Sequence, residues 1–234
     1  GVTVDLAAGT ATDGFGDSDT LSGIERVRGT QNDDVITGDA NRNRLEGGDG
    51  DDTIVSGDGN DSIDGDDGDD TIDLSAMTDT FGGYTRPGLG ADTIIGSSVM
   101  WTQFDSAHDI SYDDISGVGG VTITVGNVGT GTTVSGPQGL ISDTFPHAAF
   151  FYGSADSDTF LSTASDNRFQ GWAGGDGSDV IDGGGGSDRI DYRWEERDNP
   201  GTSQAVTVNL TTGQATDTYG NTDTLSGIDQ IRGT

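Results

Sequence analysis

The sequence predicts an all-β protein built from stacked repeats, and three observations predict it. Five nine-residue blocks run in register from Gly29 to Asp73: GTQNDDVIT, GDANRNRLE, GGDGDDTIV, SGDGNDSID and GDDGDDTID. Segments 1–30 and 205–234 align without gaps, with 18 of 30 positions identical. The composition is skewed toward short acids and glycine, with 37 Asp against 4 Glu, 41 Gly, 10 Arg and no Lys, for a formal net charge of −31. Copies at one fixed period identify a repeat architecture, in which each unit buries its apolar residue only by stacking on its neighbours.

The acid bias is informative. A surface made acidic for solubility would use Glu as freely as Asp. Asp together with Gly instead marks tight turns, where the short carboxylate bonds nearby backbone and Gly supplies positive φ. A merely solvating acidic chain needs no nine-residue register. Without Cys, neither disulfides nor thiolate metal sites contribute. No run approaches the roughly 18 apolar residues of a membrane span, and no charged-then-apolar leader precedes Val2. So negative a surface disfavours nucleic acid and anionic lipid and attracts cations.

Taken in order, residues 1–28 form lead-in strands. Val2, Val4 and Leu6 alternate as in a half-buried strand, a Gly turn follows, and Leu21, Ile24 and Val27 make a second apolar stretch. Residues 29–95 form the first array. Its eighth places are Ile36, Leu45, Ile54, Ile63 and Ile72, and its sixth places are Asp34, Asn43, Asp52, Asp61 and Asp70. Asp79 and Phe81 continue the register in 74–82, and Pro87-GLGADTII restores it with Asp92 and Ile94. Residues 96–119, with Met100, Trp101 and Phe104, fit neither template and read as a cap, which stacked repeats require at their ends.

A second lead-in occupies 120–152, where Gly120-VTITV matches Gly1-VTVDL and Asp143-TF matches Asp19-TL. The second array, 153–191, has eighth places Phe160, Phe169, Ile181 and Ile190. Its sixth places are Asp158, Asn167, Asp179 and Asp188, with Gly171-Trp172-Ala173 read as an insertion. Residues 192–204 are a linker, and 205–234 repeat the first lead-in up to Gly233-Thr234. The expectation is a segment of a longer tandem protein, cut just before another array.

One nonapeptide does not fold by itself. Ordering nine residues costs about 1–2 kcal/mol each, whereas burying one Ile or Leu returns about 1.5–3 kcal/mol. The repeated carboxylates also repel. A hard dication would neutralise them and order the turns. Calcium suits flexible all-oxygen sites of carboxylates and carbonyls, magnesium wants strict octahedral geometry, and softer metals lack the needed His and Cys.

These blocks resemble the calcium-binding nonapeptide G-G-x-G-x-D-x-U-x, with U a large apolar residue, of the RTX (repeats-in-toxin, hemolysin-type) family. Gly47-GDGDDTIV, Gly174-GDGSDVID and Gly183-GGGSDRID match at every defined place, and Gly65-DDGDDTID nearly so. The resemblance implies a right-handed parallel β-roll, a calcium-binding β-solenoid, here as two rolls joined by irregular β-rich segments. Two nonapeptides make one coil, with calcium ions between turns stacked on the same edge. Asp34, Asp52 and Asp70 would share one edge and Asn43, Asp61 and Asp79 the other.

The implied ligands of the first roll are Asp34, Gly47, Gly48, Asp49, Gly50, Asp52, Gly57, Asp58, Gly59, Asp61, Gly65, Asp67, Gly68, Asp70, Asp79 and Asp92. In the second they are Asp156, Asp158, Gly174, Gly175, Asp176, Gly177, Asp179, Gly183, Gly186 and Asp188. Asn43-Arg44 and Asn167-Arg168 depart from the pattern. There the expectation is a turn that holds calcium weakly or not at all, with Arg supplying positive charge. Asp17 and Asp19 either complete a first site or cap a solvated turn.

His108 and His147 have no partner at catalytic or metal-ligand spacing, and the many Asp are explained by the repeat rather than by a glycosidase pair. Trp101, Trp172, Trp194, Tyr84 and Phe104 read as end plugs or contacts between modules, with sugar stacking as the alternative. The expected function is a non-catalytic calcium-binding structural module of a large secreted or cell-surface protein, adhesin-like or surface-layer-like. The resemblance implies type I secretion and folding on calcium outside the cell. The alternatives are a module binding a glycan or a protein through 96–119, or a segment of a secreted enzyme. Candidate partners are calcium ions, neighbouring copies of the module and a surface glycan.

Overall fold

A computed structural model describes residues 1–78, 83–96, 109–113, 115, 117, 119–120, 122–125, 132–136, 142–145, 150–162, 172–173, 176–193 and 204–233. Every named element in it is a strand. In chain order they are β1 (Thr3–Asp5), β2 (Thr10–Thr12), β3 (Ser18–Thr20), β4 (Arg26–Arg28), β5 (Val35–Thr37), β6 (Arg44–Asp49), β7 (Thr53–Val55) and β8 (Ser62–Asp67). Then come β9 (Thr71–Leu74), β10 (Tyr84–Arg86), β11 (Thr93–Gly96), β12 (Asp109–Ser111), β13 (Thr122–Val125), β14 (Thr132–Ser135), β15 (Ser142–Phe145) and β16 (Phe150–Tyr152). The last are β17 (Thr159–Ser162), β18 (Trp172–Ala173), β19 (Val180–Asp182), β20 (Arg189–Asp191), β21 (Thr207–Asn209), β22 (Gln214–Thr216), β23 (Thr222–Ser226) and β24 (Gln230–Arg232).

The chain forms a β-solenoid of parallel stacked coils, in two units. One comprises Gly1–Ile110 with Leu140–Pro146, and the other Ser111–Gly139 with His147–Thr234. In the first unit two parallel stacks climb together. Val4, Ile36, Ile54, Ile72 and Ile94 align across β1, β5, β7, β9 and β11. Val27, Leu45, Ile63, Thr85 and Ile110 align across β4, β6, β8, β10 and β12. The eighth-place Ile36, Leu45, Ile54, Ile63 and Ile72 have no exposed surface and form the core. The strands of these stacks are short, three to six residues, and most carry Val, Ile or Thr, which suit a pleated surface. They are ended by glycines at positive φ, such as Gly48 (117°) and Gly50 (116°), which turn the chain onto the next face. Asp66 (φ 70°) is the one non-glycine at positive φ among the described residues.

In the second unit Ile123, Phe160, Ile181 and Leu225 align across β13, β17, β19 and β23. Phe151 aligns with Trp172, and Ile190 with Ile231. Each terminal lead-in is an antiparallel three-stranded meander. Thr3 faces Thr12 and Thr10 faces Thr20 in one, and Thr207 faces Thr216 and Gln214 faces Thr224 in the other.

Three expectations of register are corrected. The coil after Asp73 spans 22 residues, since Asp70 stacks on Asp92, so the strand next to β8 is Tyr84–Arg86 rather than 80–82. The four extra residues fall in the connection between strands, and Thr85 takes the core place expected of Phe81. Residues 109–111, read as part of an irregular cap, form β12 and stack on β10. Trp172, read as part of an insertion, stands in a strand opposite Phe151. The three-residue excess of that coil therefore lies before Trp172. Phe81, Phe169, Met100, Trp101, Phe104, His108, His147 and Trp194 lie outside the described residues.

Candidate metal-binding turns

Parallel stacking places each sixth-place acid directly above the next, whatever the length of the coil between them. The main-chain N–H of each donates to the carboxylate of its successor, and the resulting column is continuous. Asp34 donates to Asp52 Oδ1 at 2.7 Å, Asp52 to Asp70 at 2.8 Å, Asp70 to Asp92 at 2.8 Å, and Asp92 to Asp143 at 3.0 Å. On the other edge of this roll Asn43 donates to Asp61 Oδ1 at 2.7 Å. In the second unit Asp158 donates to Asp179 at 2.9 Å and Asp179 to Asp223 at 3.1 Å. There Asp188 also donates to Asp229 Oδ2 at 3.2 Å.

One oxygen of each accepting acid is thereby committed, and in the first roll the fate of the other divides the turns. Asp52 Oδ2, Asp61 Oδ2, Asp70 Oδ2 and Asp92 Oδ2 are buried and accept no hydrogen bond. An orphaned buried carboxylate oxygen is costly and calls for a partner. The space beside these oxygens is bounded by backbone carbonyls. A Cβ on Gly47 would collide with Asp52 Oδ2 and stand 2.7 Å from the Gly65 carbonyl oxygen of the next turn. One on Gly65 would collide with Asp70 Oδ2 and the Pro87 carbonyl. Glycine at the first place thus keeps a carboxylate oxygen and a carbonyl from adjacent coils facing one small space.

Among the described residues no three His, Asp or Glu side chains converge on one point. A cation here would therefore be held by one or two carboxylates and by carbonyls. That is the donor set of a calcium site. The residues present fit that ion.

Electrostatics agree. With no cation beside it, Asp52 is pushed up to about 6 by burial, against the hydrogen bond from Asp34. Burial likewise raises Asp61 to about 6 and Asp70 to about 7. Asp92 is raised by burial and then by the neighbouring carboxylate of Asp143. Groups that resist ionisation alone are stabilised as anions by a bound dication.

The opening turn of each roll is built differently. Thr30 donates its N–H to Asp34 Oδ2 and its hydroxyl to Asp34 Oδ1 at 3.2 Å, and Val2 N–H also donates to Oδ1. In the second roll Ser154 donates its N–H to Asp158 Oδ2 and its hydroxyl to Oδ1, both at 2.7 Å. At the second turn Asn43 Oδ1 accepts from Asp39 N–H at 2.8 Å, while its amide donates to Asp39 at 3.2 Å. These turns satisfy their sixth place from the protein itself.

The other predicted ligands are brought to the turns, several of them already engaged. Asp58 accepts from Thr78, Asp156 from the N–H groups of Gly117 and Gly119, Asp49 from Gln31, and Asp176 from Asn221. Gly48, Gly50, Gly57, Gly59, Gly68, Gly177 and Gly186 make positive-φ turns, and Asp67 lies opposite Asp49 on β8. Asp79, Gly174 and Gly175 lie outside the described residues.

Arg44 is corrected. It does not serve the Asn43 turn but points along the strand face, with Nε 2.6 Å from Glu46 Oε1 and Nη2 3.6 Å from Asp64 Oδ2. Arg26, at 2.8 Å from Glu46, and Arg86, at 3.6 Å from Asp64, complete this strip. Burial works against ionising Glu46, yet Arg44 and Arg26 hold it below the ordinary carboxylate range. The cation acting on Asp61 is Arg42. Sequence reasoning also missed Asp143 and Asp223 as members of the columns. Their signal was available, since each is the lead-in Asp preceding Thr, followed by an apolar residue as a sixth-place Asp is.

The family model described as RTX calcium-binding nonapeptide repeat (4 copies) matches this chain over three segments, residues 19–54, 46–80 and 152–190. Those segments hold Asp34, Asp52 and Asp70 of the first column and Asp158 and Asp179 of the second, while Asp92, Asp143 and Asp223 lie outside them. A search of the curated proteins finds no match.

Proposed function

Because the chain carries RTX calcium-binding nonapeptide repeats, whose ligand is the calcium ion, we propose that it is a calcium-folded structural module of a large, repetitive, exported protein. The observation that carries this reading is the row of orphaned oxygens on Asp52, Asp70 and Asp92, one per coil, along a single edge. Calcium ions between successive turns would join these oxygens to the facing carbonyls and cancel the repulsion within the column. The ligands proposed are the sixth-place acids and the first- to fourth-place carbonyls of the inner turns.

Binding free energy is then folding free energy. At the low free calcium of a cytosol the acidic chain stays extended, which suits passage through a type I secretion channel. At the millimolar calcium outside, mass action folds it. A stiff calcium-dependent rod suits an adhesin extender or a surface layer, and the role is structural rather than catalytic. No helix among the described residues is long and apolar enough to cross a membrane.

Far-UV circular dichroism during a calcium titration tests the reading. β-structure is expected to rise cooperatively with calcium, far less with magnesium, and to vanish on chelation. A spectrum indifferent to chelation would overturn it.

A further inference from the structure

The two terminal lead-ins share one three-stranded fold and 18 of 30 residues, so positions 204 residues apart can be compared directly. In the last lead-in, β23 is covered. It pairs in parallel with β19, with Thr224 opposite Val180 and Leu225 opposite Ile181. Asp223 accepts the main-chain N–H of Asp179, and Asn221 reaches Asp176 at 2.8 Å. Asp217, Asp223 and Leu225 are accordingly buried.

A second covered example is β15, which pairs in parallel with β11. Its Asp143 accepts the N–H of Asp92 at 3.0 Å. In both cases the lead-in Asp takes the next sixth place above a roll's last turn.

In the first lead-in the matching strand is β3, and Ser18, Asp19 and Thr20 are all exposed. Phe15, which matches the half-buried Tyr219, is 95% exposed. Among the described residues, β3 pairs with β2 and its other edge carries no strand. A bare strand edge with an exposed aromatic at its rim is a surface that folded proteins normally cover.

We propose that the exposed edge of β3 is a docking site for the last turn of another RTX repeat roll. Asp19 there accepts the N–H of that roll's final sixth-place Asp, as Asp223 and Asp143 do. The occupant's chemistry is that of Asp92-Thr-Ile94 or Asp179-Val-Ile181, a sixth-place Asp leading a short β-branched strand. The inference rests on the proposed modular role, and it adds a property. Asp17 stands where Asn221 makes its neutral contact with Asp176. Against a last turn like that of Asp179, which carries Asp176, two carboxylates would face each other across the new junction, so docking there requires calcium.

The test extends the full chain at its N-terminus with its own residues 153–204, which places a roll and its connector ahead of 1–30 as they stand ahead of 205–234. In calcium, amide hydrogen exchange across 15–21 is expected to slow in the extended chain relative to the unextended one. Asp19→Asn is expected to leave the calcium midpoint of the unextended chain unchanged. In the extended chain it should raise the midpoint of that junction by at least about tenfold, the scale of losing a metal-site group. Unchanged exchange across 15–21 together with a neutral Asp19→Asn, in an extended chain that still folds on calcium, overturns the docking site and leaves the module reading standing. An extended chain that ignores calcium overturns both.

Discussion

The turns at 29–34 and 65–70 share one edge, one register and one terminal Asp, and they differ at the second to fourth places, of which the second touches the terminal Asp in the first turn. Thr30 supplies an N–H and a hydroxyl that occupy both oxygens of Asp34. At the second place of 65–70 stands Asp66, in a left-handed conformation, and Asp70 keeps a buried oxygen with no donor. The opening turn is thus closed by the chain, whereas the inner turn is left for an ion to close. Ser154 repeats the first arrangement at the start of the second roll. Each roll therefore begins on a turn whose sixth-place carboxylate is closed by donors of the chain itself.

Substitution at the sixth place should expose this contrast most strongly. Asp70→Asn removes charge from a turn that depends on a cation, and calcium affinity should fall by at least about tenfold. Asp34→Asn alters a turn already satisfied by Thr30 and Val2 and should leave the affinity within about twofold, since the one amide oxygen can still accept the Thr30 N–H as Asn43 accepts that of Asp39, the bonds at the other oxygen being lost. Calorimetric calcium titration of the two variants decides it, and equal losses would erase the distinction.

The pH response of the calcium-free chain comes next in size. Asp52, Asp61 and Asp223 at about 6 and Asp70 at about 7 lie above the ordinary carboxylate value. The folded form therefore holds protons more tightly than the unfolded chain. That contribution is fully present below about pH 4 and is lost as pH rises toward 7. Metal-free protein should gain β-structure on acidification by circular dichroism, while calcium-loaded protein should release calcium over the same range. A metal-free chain most ordered at pH 8 would contradict the burial of these acids.

A smaller effect is expected of Thr30→Val. It removes one hydroxyl bond from Asp34, worth roughly 0.5–1.5 kcal/mol, and should lower the thermal midpoint in calcium by a few degrees. The same substitution in the second roll, Ser154→Val, should behave alike. Smallest is Asp66→Gly, which relieves a left-handed residue and should raise stability by about 1 kcal/mol. Chemical denaturation in calcium measures it, and a loss would mean that the Asp66 carboxylate contributes to a site.

Much of the fold was legible in the sequence because the repeat is rigid in both period and chemistry. Ile36, Leu45, Ile54, Ile63 and Ile72 are buried where the eighth place put them. The register was misread where coils lengthen. A loop takes up extra residues at little energetic cost. Four of them between Asp73 and Tyr84 therefore shifted the strand without disturbing the stack, and Thr85 entered the core in place of a larger residue. Ile110 was missed for the opposite reason, since a three-residue strand in an aperiodic segment has no signal until a neighbouring coil pairs with it. Arg44 was misassigned because adjacency in sequence suggested the Asn43 turn, while strand alternation sends its side chain toward Glu46 and Asp64.

By itself the sequence determined the period, the identity of the core positions, and an oxygen-rich ligand set with no thiolate and few imidazoles. These follow from residue types recurring at a constant interval. Only the tertiary structure decided which carboxylate oxygens are spent and which are left over. That depends on whether a neighbouring turn brings an N–H, a hydroxyl or a carbonyl against each oxygen, and stacked backbones, not composition, set those distances.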